Sequence, residues 1–344
     1  MKHLFIGLDV HKKSWSVTLQ EGQVVLKRFS MEAKADALIY YISKHYKDYS
    51  VECCYEACCG YHIYRDLTKA GWKVLVVNPG DIPRANKQSV NKSDKIDSRY
   101  LCHHLASGHL RGIGMPEEKQ EQFRSLFRRR NDLVKSLRRI KCHVKSMLLY
   151  YGINLPEHYD NINWSKAMTA WIVKLKWLYP TAAQTMKSRL TEYYFLRTEY
   201  LHICNELRSC ARKNYRKDYY LLRSIPGVGP FIAVAILSEI GDLRRFKGID
   251  RLSSYVGLVP SLHSSGEKSY SRGITYRSKN LLRSYLIEGA WIAAKKDEEL
   301  MQYYKERKGC DHRKLIIKMA AKTLSRIYHV IKTGEPYKPV KATA

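Results

Sequence analysis

The chain has 344 residues, 45% of them hydrophobic, which is enough for a sizeable core and for two domains with a spacer, and too apolar for disorder throughout. Lysine and arginine number 61 against 32 aspartates and glutamates, a formal charge of +29 that predicts a polyanionic partner bound with salt-dependent affinity. No run approaches the roughly 18 apolar residues of a membrane span, and the opening MKHLFIGLDVHKKSW reads as a strand rather than a signal peptide, so the expected location is cytoplasmic.

From His3 to about Val10 the pattern is strand-like. SWSVTLQ and VVLKRFS follow, joined at Glu21-Gly22, and predict an antiparallel hairpin. KADALIYYISKHY is helical, VECCYEA a strand, YHIYRDLTKAGW a helix ending near Gly71, and KVLVVNP a short buried strand closed by Pro79. This order predicts a mixed sheet with helices packed against it. Cys53, Cys54, Cys58 and Cys59 cluster in ECCYEACCGYH, but adjacent cysteines on a strand face opposite ways, so buried small hydrophobes are favoured over a zinc site. The stretch NKSDKIDSRYL opens a helix from Asp94 to about Ser107. It carries Asp94 and Asp97 at i and i+3, on one face. Taken alone, the pair reads rather as solvated surface, with Asp94 capping the helix after Ser93.

After Pro116 a long helix runs to about Tyr151. Leu126, Leu133, Leu137, Ile140, Val144 and Met147 form a heptad seam that Arg130 interrupts. Arg128, Arg129, Lys135, Arg138, Arg139 and Lys145 lie largely off that seam. A second long helix repeats the rhythm with Met186, Leu190, Tyr193, Leu196, Tyr200, Ile203, Leu207 and Cys210. The pair predicts an antiparallel coiled-coil spacer over 116–217, and its nearly one-signed charge favours nucleic-acid contact at Arg128, Arg129, Arg138 and Arg139 over a merely solvated face.

The last part, 218–344, is expected to be helical. LLRSIPGVGPFIAVAILSEIG has the form of a helix-hairpin-helix. There Gly227 and Gly229 permit a tight turn, and the amides opening the next helix can hold a phosphate. A short helix, DRLSSYVGL, precedes VPSLHSSGEKSYSRGITYRSKN, which reads as a polar loop, and further helices run from Leu281 to about Thr333.

Four acids can meet in such a fold. Asp9 sits on the first strand, Glu56 ends the fourth, and Asp94 and Asp97 open a later helix. In a ribonuclease-H-like sheet the first strand is central and the fourth lies beside it. Converging carboxylates repel unless cations neutralise them, and the natural occupants are two Mg²⁺ ions, about 4 Å apart, bound through oxygen.

The same residues carry a family resemblance that runs nearly end to end. IGLDVHKKSW, YEACCGY, VVNP with NKSDKIDSRYLCHHLA, SIPGVGPFIAVAILSEIGDLRRF and LSSYVGLVPSLHSSGEK, in that order, resemble the motifs of the DEDD transposases of the IS110 insertion-sequence family, bridge-RNA-guided recombinases. The resemblance implies a RuvC-like domain over 1–115 with Asp9, Glu56, Asp94 and Asp97 as Mg²⁺ ligands. It also implies a helical transposase domain over 218–344 whose nucleophile is the serine directly before glycine, Ser265 in HSSGEK, rather than Ser264. It further implies a serine–DNA covalent intermediate, double-stranded DNA (element ends and target) and a structured guide RNA as partners, and a homodimer or homotetramer that shares its active site between subunits. Where the family usually carries a lysine this chain has Tyr276, with Arg277 and Lys279 as substitutes, and Cys58 and Cys59 stand where threonine or serine is usual. Two other readings of the residues stay open: a metal-dependent junction nuclease in which Ser265 is structural, and a non-catalytic nucleic-acid-binding protein.

Overall fold

The computed structural model describes residues 2–58, 60–82, 94–160, 164–265, 268–274, 279–307, 309 and 311–339, with the backbone alone at 94–96, 260–265 and 268–274. Two compact units divide the chain, Met1–Met115 and Pro116–Ala344.

The first unit opens with β1 (Lys2–Val10), β2 (Ser14–Glu21) and β3 (Val24–Glu32), a meander whose second turn uses Gly22 at φ 54°. Then come α1 (Ala35–His45), β4 (Tyr49–Glu56), α2 (His62–Lys69), β5 (Lys73–Val77) and α3 (Asp94–Ala106). The sheet runs β3-β2-β1-β4-β5. β2 is antiparallel to both neighbours, β4 is parallel to β1, and β5 is parallel to β4. Helical crossovers are what permit those parallel pairs. The two-residue alternation of β1 sorts its side chains. Leu4, Ile6, Leu8 and Val10 join Leu38 and Ile42 of α1 and Ile63 and Leu67 of α2 in one core. On the other face Cys54 and Val77 pack with Leu101 and Leu105 of α3. Cys53 and Cys54 thus lie in different cores, and burial pushes both thiols well up, as inert packing residues require.

In the second unit α4 (Glu118–Tyr150) and α6 (Pro180–Asn214) pack antiparallel, with α5 (Lys166–Val173) between them in sequence. Ile140, Val144, Met147 and Leu148 of α4 meet Met186, Leu190 and Tyr193 of α6, and Met168 and Ile172 of α5 close this distal core. The other ends of the long helices, Phe123 and Phe127 with Leu207 and Ala211, belong to the core of the C-terminal helices. Those are α7 (Arg216–Arg223), α8 (Pro230–Glu239), α9 (Ile249–Val256), α10 (Asn280–Lys296), α11 (Glu298–Lys305) and α12 (His312–Thr333). α8 is buried on every side from Ile232 to Glu239, so it reads as a continuous apolar run rather than an amphipathic stripe.

One sequence expectation is corrected here. The polar stretch after Val259 is a strand pair rather than a loop, β6 (Pro260–Ser265) antiparallel to β7 (Lys268–Ile274), with Ser265 opposite Lys268. Polarity marks residues that need no apolar partner, and the backbone ladder of a hairpin is indifferent to it. Among the described residues no helix is long and apolar enough to cross a membrane.

Candidate active site

Leu8 of β1 and Tyr55 of β4 are register partners, so Asp9 and Glu56 are the next residues out at the C-terminal ends of two neighbouring strands. Both point away from the core that holds Leu8 and Tyr55, toward the face that α3 covers, and both are half-buried. Asp9 Oδ2 lies 3.2 Å from His11 Nε2.

α3 is fixed by close contacts to that face. Ser98 Oγ lies 3.0 Å from Thr18 Oγ1 on β2, the register partner of Gly7. One turn later the Cys102 thiol donates to Phe5 O at 3.2 Å, and the Cys54 thiol donates to Leu101 O at 3.4 Å. A methyl group on Gly7 would strike Ser98 O and Cys102 N, so glycine is what lets the helix backbone settle on β1. Because Ser98 lies over Gly7 and Cys102 over Phe5, α3 runs against β1. Its first turn, with positions 94 and 97, is directed to the strand ends that carry Asp9 and Glu56. Asp97 is half-buried and adjacent to Ser98, and of Asp94 the helix position alone is described.

Ser265 is the last residue of β6. Tyr276, Arg277, Cys59 and the cap position Ser93 lie outside the described residues. Arg128, Arg129, Arg138 and Arg139 are all exposed on α4. Arg128 is also tied down: its Nε and Nη2 donate to Glu239 Oε1 and Oε2 at 2.9 and 3.1 Å. Glu239 is buried and also faces Arg124 Nε at 3.8 Å. The glycines of the hairpin divide. Gly227, at φ 86°, packs against Gly289 O and Ala293 of α10, leaving no space for a side chain. Gly229, the residue before α8, faces open space.

Residues 6–153 match the IS110-type DEDD transposases, and residues 219–305 match the family described as Transposase IS116/IS110/IS902. A putative transposase of Sinorhizobium fredii is 30% identical over 296 residues, 84% of this chain and 72% of that protein. The chain belongs to the IS110 family of transposases. The transposase for insertion sequence element IS1328 of Yersinia enterocolitica is 25% identical over 344 residues, covering 95% of this chain and 96% of its own length. That for IS1111A of Coxiella burnetii is 28% identical over 240 residues, 68% of this chain and 64% of its own.

For this transposase the acidic end of the first unit is the natural place to look for a divalent metal. The donors at that end are carboxylate oxygens, the ligand type that hard divalent cations take, and Asp9 and Glu56 share one level of one sheet face. Their chemistry fits such an ion. Among the described residues no three His, Cys, Asp or Glu side chains are drawn close enough to hold a metal, and Asp94 is not among the side chains described. Two residues of the transposase's acidic end escaped the reading of the sequence. His11 beside Asp9 was signalled only by its i+2 spacing, one residue past the end of β1, where the extended chain still returns it to the side of Asp9. Gly7 had no signal beyond being a glycine inside a strand, which marks close backbone approach.

Proposed function

We propose that this transposase cuts and rejoins DNA by paired transesterifications, with Ser265 as nucleophile and Asp9, Glu56, Asp94 and Asp97 holding Mg²⁺ in a RuvC-like domain. The supporting observation is the shared level of Asp9 and Glu56 under the helix that opens with Asp94 and Asp97. The sheet order, with a central first strand flanked by an antiparallel and a parallel neighbour, supports the RuvC-like reading. In the first step the Ser265 oxygen forms a bond to a DNA phosphorus, and the bond from that phosphorus to the departing strand breaks. The serine proton leaves and the freed strand hydroxyl gains one. Attack by a second strand hydroxyl reverses the linkage and restores the serine. Bond energy is conserved, so no nucleotide cofactor is required. The metal, when bound, supplies positive charge to the phosphoryl oxygens as charge builds on them. Arg129, Arg138 and Arg139, exposed on α4, would meet the phosphate backbone, and the excess positive charge suits a structured guide RNA beside the DNA. A homodimer or homotetramer would complete the site with a serine from another subunit.

The test is a suicide DNA substrate resolved under denaturing conditions. A protein–DNA adduct is expected from the wild type and none from Ser265→Ala. Cleavage by Ser265→Ala at the wild-type rate would transfer the reaction to water and make the protein a metal-dependent junction nuclease. Sequencing the RNA that co-purifies with the protein tests the guide, with an RNA encoded by the element's own ends as the expected result.

A further inference from the structure

Arg130 and Arg208 share one aromatic ring, and among the described residues neither is paired with a carboxylate. The guanidinium carbon of Arg130, in the middle of α4, lies 4.7 Å from the ring centroid of Phe231, and that of Arg208, on α6, lies 5.6 Å from it. Tyr200 and Tyr285 enclose Arg130 further, at 5.3 and 5.9 Å, and accept hydrogen bonds from it together with Asn131 Oδ1. Its Nε is buried without an acceptor. Arg208 turns to Cys204 O at 3.2 Å and Asn205 Oδ1 at 2.7 Å.

Several other arginines of this unit face carboxylates, while the half-buried Arg197 donates to Trp164 O and the Tyr193 hydroxyl. Arg124 and Arg128 share Glu239, Arg244 has Asp218, and Arg326 has Asp297. Among the described residues the pair at Phe231 is given aromatic faces and neutral acceptors instead, which hold a guanidinium in place while leaving its charge uncompensated. Phe231 stands in the first turn of α8, where the helix end adds to that positive potential. Gly229, two residues earlier, leaves the approach open, whereas Gly227 is sealed against α10.

We propose that Arg130 and Arg208 form a seat for one backbone phosphate of duplex DNA, Arg208 making the contact and Arg130 supplying fixed charge from its aromatic cage. The inference rests on the reading of the chain as a DNA transposase and adds to it a binding site in the second unit, apart from the acids and the serine. The test is equilibrium binding of the full chain to short duplex DNA over a series of salt concentrations, with thermal unfolding in parallel. Arg208→Gln is expected to weaken binding about three- to tenfold and to lower the slope of log K against log salt by about 0.9, the release of one counterion. Arg208→Lys should restore the slope, and both variants should melt with the wild type. Wild-type binding with an unchanged slope in Arg208→Gln overturns the site alone, as does a loss confined to structured RNA. A wild-type chain that binds no duplex DNA overturns the site and the functional reading together.

Discussion

Asp9 and Glu56 leave neighbouring parallel strands at one level, each a single residue beyond the register pair Leu8–Tyr55. Parallel pairing makes this useful, because both strands end at the same edge and both side chains emerge on the same face. The short α3 contacts at Ser98 and Cys102 then direct the first turn of that helix to the same edge.

Replacing either acid by its amide keeps volume and removes charge. Asp9→Asn and Glu56→Gln should each lower DNA strand transfer by about 10² or more, as the loss of transition-state charge stabilisation does elsewhere. Relief of like-charge repulsion and loss of partners such as His11 beside Asp9 oppose each other, so stability in metal-free buffer should change by no more than about 1 kcal/mol. The rise in melting temperature on adding Mg²⁺ or Mn²⁺, expected of the wild type through binding to the folded state, should disappear in both. A variant with the wild-type metal response would remove that residue from the ligand set.

Gly7→Ala tests how α3 is held. The added methyl meets backbone atoms of Ser98 and Cys102, which cannot rotate away, so the helix itself must shift. A loss of about 1–3 kcal/mol in urea unfolding is expected. Gly112→Ala is the control. Its methyl would meet the Leu75 side chain at 3.5–3.8 Å, an ordinary contact, and its effect should stay within about 0.5 kcal/mol. Equal effects at the two sites would detach α3 from the account.

The fold was readable where a local period carries it. Leu4, Ile6 and Leu8 alternate along a strand, and Leu133, Ile140, Val144 and Met147 repeat along a helix, and those positions are the packed ones. Asp9 and Glu56 could be placed because each sits at the end of a strand whose extent is legible. Long-range pairings could not be. Nothing near Arg128 announces Glu239, 111 residues away, because one carboxylate among many leaves no periodic trace. The β6–β7 hairpin was hidden for a different reason: its polar composition resembles a loop, and a hairpin's defining bonds belong to the backbone.

The Arg128–Glu239 pair predicts a split among the α4 arginines. Glu239 has a side chain only 4% exposed, and its removal leaves Arg124, 12% exposed, without a counter-charge. Glu239→Ala should cost about 2–3 kcal/mol, less than the ~3–5 of a fully buried pair because Arg128 is 54% exposed. Arg138→Ala and Arg139→Ala should leave stability within about 0.5 kcal/mol yet flatten the salt dependence of nucleic-acid binding. Denaturation curves and salt titrations on the same preparations check both halves.

His104 on α3 gives the first unit a pH dependence. Both ring nitrogens are buried without a partner. Burial first, and then the neighbouring His103 and His109, hold its pKa below the ordinary 6.5, and Tyr100 packs edge-on against its ring at 4.4 Å. The unfolded chain therefore takes up a proton near pH 6.5 while the folded chain resists until lower pH. Stability from this group is complete above 6.5 and declines as pH falls through that value toward the lowered one. His104→Phe removes the titrating group and the two unsatisfied nitrogens while keeping an aromatic ring against Tyr100. The variant should equal or exceed the wild type at pH 7.5, by about 1 kcal/mol, and the gap should widen between pH 6.5 and 5. Melting curves across that range provide the measurement, and parallel profiles for the two proteins would show that His104 is protonated equally in both states.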